Sequence, residues 1–147
     1  MSIDETKPFI PINIAVMTVT DTRTLETDTS GAILVEKIAE AGHKLAARAI
    51  VKDDVPTIVE RLRAWIDDPN IDCVITTGGT GLTGRDVTPE AFDLVCEKQI
   101  PGFGELFRWI SFKPIGTSTI QSRAMAGLAR GTYLFALRSE EHSSELQ

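Results

Sequence analysis

The chain has only two cysteines, two histidines and one tyrosine among its 147 residues, and more acid than base, with a net charge of −6. Cys73, in a strand-like run, and Cys96, in a helix-like run, form no Cys-x-x-Cys pair and have no His-rich neighbourhood. Neither a structural disulfide nor a thiolate metal site is therefore expected, and both read as reduced core residues. His43 follows Gly42 at a helix end and His142 lies in the final segment, so no Ser-His-Asp or Cys-His arrangement is suggested. No apolar run approaches the roughly 20 residues of a membrane helix. Met1–Pro11 holds Asp4 and Glu5 and does not read as a secretory signal, so a cytoplasmic protein with no membrane partner is expected. The deficit of Lys and Arg argues against nucleic acid as a partner, because phosphate backbones are bound through clustered cations. A local phosphate site needs only a few donors, so acidity does not exclude one.

What the chain does have is an ordinary globular composition, 42% hydrophobic and 24% charged, at a length suited to one domain. Residues 1–11 read as an N-terminal arm. Ile12–Thr20 is short, β-branched and almost continuously apolar, as a buried parallel strand is. Helical spacing of Leu34, Ile38 and Ala41 predicts a helix over 31–41, capped by Asp28 or Ser30 and ended by Gly42. A strand at Lys44–Val51 and a helix carrying Ile58, Val59, Leu62, Trp65 and Ile66 follow, with Asp53 or Asp54 as its cap. A third strand runs over Ile71–Thr77, and Thr88-Pro89-Glu90 marks a helix start whose buried side is Phe92, Leu94, Val95 and Cys96. Pro101–Gly104 reads as a break before a helix at Glu105–Phe112. A further short helix is expected over Gly116–Leu128, and a fourth strand over Thr132–Leu137. Trp65 and Trp109 are expected in the core or an interface. Alternating strands and helices predict an α/β domain over 12–137 with a mostly parallel sheet.

Between the third strand and the helix at Thr88 lies Gly78-Gly79-Thr80-Gly81-Leu82-Thr83-Gly84-Arg85-Asp86. Its glycines permit positive φ and close approach of a ligand, its threonines add hydroxyls, and Asp86 adds a carboxylate. Gly79–Gly84 matches G-x-G-x-x-G in form, but that fingerprint follows a first strand and opens directly into a helix. A Walker-type loop fails as well, because Arg85-Asp86 stands where Lys-Ser/Thr is needed. A loop at the C-terminal end of a parallel strand remains, which is where open α/β sheets bind ligands. The bland alternatives are a tight turn and an exposed Arg85–Asp86 ion pair. Asp53 and Asp54 follow the second strand at the same rim, where helix capping competes with a role as the second carboxylate beside Asp86 on Mg2+; Asp21 and Asp28 follow the first strand there too, Asp28 as a candidate cap.

Together, Asp28-Thr29-Ser30-Gly31, Thr76-Thr77-Gly78-Gly79-Thr80-Gly81, Asp86-Val87-Thr88-Pro89-Glu90, Pro101-Gly102-Phe103-Gly104-Glu105, Gly116-Thr117-Ser118 and Ser122-Arg123-Ala124 resemble the MoaB/Mog family of molybdenum cofactor biosynthesis proteins. The resemblance runs from about Phe9 to Leu137, with Ile50–Asp54 and Gly104–Arg108 closer to the B-type branch. It implies a three-layer α/β molybdopterin-binding fold, mostly parallel in its sheet and flanked by helices, in homotrimers or hexamers working with other cofactor-biosynthesis proteins. It also implies molybdopterin bound at the glycine loop and, as in Mog-type relatives, Mg2+-dependent adenylyl transfer from ATP. Carried over by position, Asp53 and Asp86 are the catalytic and metal-binding acids. Gly78, Gly79, Thr80 and Gly81 bind the ligand, with Ser122 and Arg123 lining the site. A non-catalytic molybdopterin-binding or scaffold oligomer in the same pathway is the alternative.

The final segment departs from the family. Arg138–Gln147 is half charged or His, and reads either as a solvated tail or as a resemblance to a translated sequencing adapter altered by one Thr-to-Ser change. Without its one arginine and three glutamates the balance is 14 basic against 18 acidic residues, so the chain remains acidic. The family continues after the last strand with a Leu-Pro-Gly loop and a C-terminal helix. The resemblance therefore implies a domain incomplete beyond Leu137, destabilised and inactive as written.

Overall fold

A computed structural model describes residues 6–139; the arm's first five residues, most of the final segment and His142 lie outside the described residues. Six strands, β1 (Asn13–Val19), β2 (Lys44–Val51), β3 (Cys73–Thr77), β4 (Lys98–Gln99), β5 (Met125–Ala129) and β6 (Thr132–Leu137), form one sheet in the order β2-β1-β3-β6-β5-β4. β2, β1, β3 and β6 are mutually parallel, whereas β5 and β4 add an antiparallel edge. The α/β expectation holds, with a mixed sheet. Chain order reverses at β1, between β2 and β3, which opens a crevice at the carboxyl ends of the parallel strands.

Alternation along β1 divides the core. Ala15, Met17 and Val19 pack on one face with Ile58, Leu62 and Trp65 of α2 (Val55–Ile66) and with Ala91 and Phe92 of α3 (Thr88–Val95). Ile14 and Val16 pack on the other with Leu34 and Ile38 of α1 (Thr29–Glu40). On that second face Phe103 of α4 (Pro101–Ile115) meets Phe135 edge-on at 5.0 Å. Helices thus cover both faces, as a buried parallel sheet requires.

Three local expectations are corrected. Residues 116–128 are not one helix: a 3-10 turn at Gly116–Gln121 gives way to β5. Arg130 and Gly131, with φ of 50° and 85°, form a two-residue hairpin that pairs Ala129 with Thr132 and imposes strand structure on an Ala/Gly-rich segment. Pro101–Gly104 is the first turn of α4 rather than a break. A Cβ on Gly104 would lie 2.7 Å from the Ala124 carbonyl oxygen, so that glycine serves close packing of α4 on the chain entering β5. Leu94 is exposed, at 61%, instead of buried, and Trp109, expected in the core or an interface, lies outside the core at 76% exposure. Among the described residues no helix is long and apolar enough to cross a membrane.

Candidate functional site

Each parallel strand delivers a polar loop to one rim. After β1, Asp28 caps α1 by accepting from the Gly31 N–H at 2.9 Å, and is buried against Thr18 and Arg48. After β2, Asp54 caps α2 through the Thr57 N–H at 3.0 Å, which leaves its neighbour Asp53 for the crevice. After β3 the glycine loop turns sharply at Gly78 (φ 96°) and Gly79 (φ 73°), a backbone that side-chain-bearing residues rarely adopt. A Cβ on Gly78 would sit 2.5 Å from the Val19 carbonyl oxygen, and one on Gly79 would sit 2.2 Å from Thr88 Oγ1. Thr88 does not cap α3 as its position suggested. Its hydroxyl donates to the Gly78 carbonyl at 3.0 Å and ties the helix start to the loop.

Two clefts flank this ridge and share Gly78, Gly79, Asp86 and Ser139. The one toward α4, about 340 Å3, adds Thr80, Gly81, Ile115, Ser118, Gln121 and Ser122. The other, about 440 Å3, is charged, with Asp21, Asp28, Asp53, Arg23 and Arg85. Asp53 and Asp86, expected to act together, line the same cleft. Burial comes first in pushing the Asp53 carboxyl above its ordinary value, and the nearby negative charges of Asp21 and Asp86 add to it. Asp86 Oδ2 accepts from the Thr83 N–H at 3.0 Å and the Thr83 hydroxyl at 2.8 Å. Arg85 does not pair with Asp86; its Nη2 reaches Asp21 at 2.9 Å.

Ser122 lines the first cleft, whereas Arg123 reaches the loop by another route. Its Nε donates to the Gly81 carbonyl at 2.7 Å, its Nη2 to the Asp86 carbonyl at 2.5 Å, and Glu90 holds the guanidinium as an ion pair. Arg123 therefore shapes the loop through its backbone. That bond lowers the Glu90 pKa. Sequence reasoning gave no role in the site to Asp21 beyond its place on the rim, nor to Gln121. The three-strand convergence on Asp21 had no local signal, while Gln121 became visible only once the 3-10 turn was in place. Arg138 and Ser139, the first residues of the atypical segment, line the clefts too, and the Arg138 carbonyl accepts from Thr77 Oγ1 at 3.2 Å. Among the described residues no three His, Cys, Asp or Glu side chains converge as a preformed metal cluster.

A family model described as "Probable molybdopterin binding domain" matches residues 15–142. The chain belongs to that family. Molybdenum cofactor biosynthesis protein B of Escherichia coli K12 is 47% identical over 129 residues, covering 88% of this chain and 76% of that protein. The protein of the same name from Bacillus subtilis 168 is 43% identical over 139 residues, covering 92% and 82%. A crystal structure of a molybdenum cofactor biosynthesis protein B superposes with a TM-score of 0.88 at 41% identity, covering 95% of this chain and 88% of that one. The MoaB/Mog relationship read from the motifs is thus established in both sequence and fold.

Proposed function

We propose that this chain acts in molybdenum cofactor biosynthesis by binding molybdopterin at the glycine loop and transferring to it an adenylyl group from ATP. The observation that carries this reading is the shared Gly78–Gly79 ridge, with mainly neutral polar groups beside Asp86 and Arg138 on one side and a cluster of carboxylates on the other. Ser118, Gln121 and Ser122 suit the hydrogen-bonding edge of a pterin, and Gly79, Thr80 and Gly81 let its phosphate approach the backbone. The nucleotide belongs on the charged side. Asp53, with its carboxyl pushed up among acids, sits where a cation is wanted. Magnesium binds through one or two carboxylates plus substrate oxygens, and Asp53 and Asp86 would hold it. Once bound, the ion would neutralise phosphate charge.

In the transfer, a molybdopterin phosphate oxygen attacks the α-phosphorus of ATP. The bond from that phosphorus to the bridging oxygen breaks, and pyrophosphate leaves with the electron pair. The protein's share is positioning and electrostatics. Arg123, Thr83 and Thr88 fix the loop on which Asp86 stands. The setting is a cytoplasmic homotrimer or hexamer working with other proteins of the pathway, and exposed Leu106, Trp109, Ile110 and Ile120 support self-association.

A second reading, a non-catalytic molybdopterin-binding scaffold, has one observation in its favour. The Asp86 carboxylate closes a local turn onto Thr83, a purely structural role. Incubation of the chain, continued after Leu137 with the family's loop and helix, with molybdopterin, ATP and Mg2+ separates the two. Adenylylated molybdopterin with equimolar pyrophosphate is the expected product. Intact molybdopterin binding without product, and Asp86→Asn without effect on the pathway, are the outcomes that select the scaffold.

A further inference from the structure

Asp21, in the loop after β1, joins three rim segments. Its Oδ1 accepts from the Asp53 N–H at 3.0 Å and its Oδ2 from Arg85 Nη2 at 2.9 Å. One carboxylate thereby connects the loop after β2 with the glycine loop, across the cleft that holds Asp53 and Asp86. The arginines around this cleft are committed to different degrees. Arg48 is paired with buried Asp28, and Arg23 Nη1 donates to the Thr27 carbonyl of its own loop at 3.2 Å. Arg85, with a side chain 66% exposed, is held by an Asp21 side chain that is itself 37% exposed. Ion pairs this accessible to water are weak and exchange readily.

A triphosphate entering this cleft meets Asp21, Asp53 and Asp86, and a divalent cation compensates only the acids it touches. Asp21 then competes with phosphate oxygens for one guanidinium. The phosphates carry more charge and present the paired acceptors that a guanidinium fork fits. We propose that Arg85 is a polyphosphate-binding residue, parked on Asp21 and transferred to the terminal phosphates of the nucleotide when these enter with their cation. This deepens the adenylyl-transfer reading and rests on it for the identity of the nucleotide. When the bond to the α-phosphorus breaks, negative charge grows on the departing pyrophosphate, where a guanidinium stabilises it. Asp21 is the positioning partner, holding Arg85 beside the cleft and the Asp53 backbone in register.

Calorimetric titration with inorganic tripolyphosphate plus Mg2+, alongside Mn2+ alone followed by electron paramagnetic resonance, tests the assignment. Arg85→Gln is expected to weaken tripolyphosphate binding about 10- to 100-fold, the range for losing a charge-assisted contact, with Arg85→Lys in between. Mn2+ affinity should stay within about twofold, and Asp21→Asn should tighten tripolyphosphate by removing the competitor. Unchanged tripolyphosphate affinity in Arg85→Gln, equal weakening of Mn2+, or no tripolyphosphate binding by the unsubstituted chain overturns the proposal. The two readings fail separately. Arg85-dependent tripolyphosphate binding without adenylylated product defeats adenylyl transfer alone. Product formed at an unchanged rate by Arg85→Gln defeats the role of Arg85 alone.

Discussion

The two clefts share a glycine wall, Asp86 and Ser139, and differ in the rest of their lining. The cleft toward α4 is built where the end of β3 meets the 3-10 turn, and beyond Asp86 and Arg138 its polar lining is neutral side chains such as Ser118, Gln121 and Ser122. The other is built where the ends of β1, β2 and β3 converge, and it concentrates charge. Neutral hydrogen-bonding groups orient a ligand at little desolvation cost, whereas clustered carboxylates raise one another's protonation until a cation arrives. Under the proposed function, one ridge thus separates recognition from phosphate chemistry. The sharpest break in that division is expected from Asp53→Asn, which should lower adenylyl transfer about 100- to 1000-fold, as loss of a transition-state electrostatic contact does. Molybdopterin affinity, followed by fluorescence quenching, should change less than about threefold, while Ser122→Ala should show the opposite split. If both substitutions weakened molybdopterin alike, the clefts would be one site.

The ridge itself should be the least replaceable part of the molecule. Gly79→Ala forces a side chain into a positive-φ position and drives its Cβ to 2.2 Å from Thr88 Oγ1. Backbone strain and overpacking together predict a loss of roughly 2 to 4 kcal/mol in denaturant unfolding. Gly84 is the internal control. It has no atom within 4 Å of a built Cβ and no positive φ, so Gly84→Ala should stay within about 0.5 kcal/mol of the unsubstituted chain. Equal losses at both positions would mean that the whole loop, rather than its first turn, is the rigid element.

The same contrast explains what the sequence made legible. β1 and β3 are buried on both faces and write themselves as apolar runs, and α1 and α2 announce their caps in Asp28 and Asp54. The loop after β3 and the segment before α2 are therefore legible, and with them Asp86 and Asp53. β5 was not legible, because Met-Ala-Gly-Leu-Ala has no β-branched residue and is a strand through its hairpin to β6. Gly127 belongs there because a Cβ would meet Cys96 Sγ at 2.4 Å, a contact no local pattern encodes. The far wall of the first cleft, reached through the 3-10 turn before β5, was obscured for the same reason. Arg123 stood out as a motif residue, but its route to the loop backbone depends on where β5 begins.

The smallest effect, and the finest division between loop support and ligand contact, belongs to Glu90. Its carboxylate pairs with Arg123, which in turn holds the Gly81 and Asp86 carbonyls, and this hydrogen bond lowers its pKa below the ordinary value of 4.5. A carboxylate with a depressed folded pKa stabilises the fold fully above its unfolded value, and loses that contribution as the pH falls through the folded one. Glu90→Gln should therefore cost stability at pH 7, and the difference from the unsubstituted chain should fade as the pH drops through 4.5 and below. The Glu90 side chain is 48% exposed, so solvent screening holds the cost to about 0.5 kcal/mol. Paired urea titrations across that range measure it. A pH-independent difference would mean that Glu90 acts through packing on α3. In that case the glycine loop would be fastened by Arg123 alone.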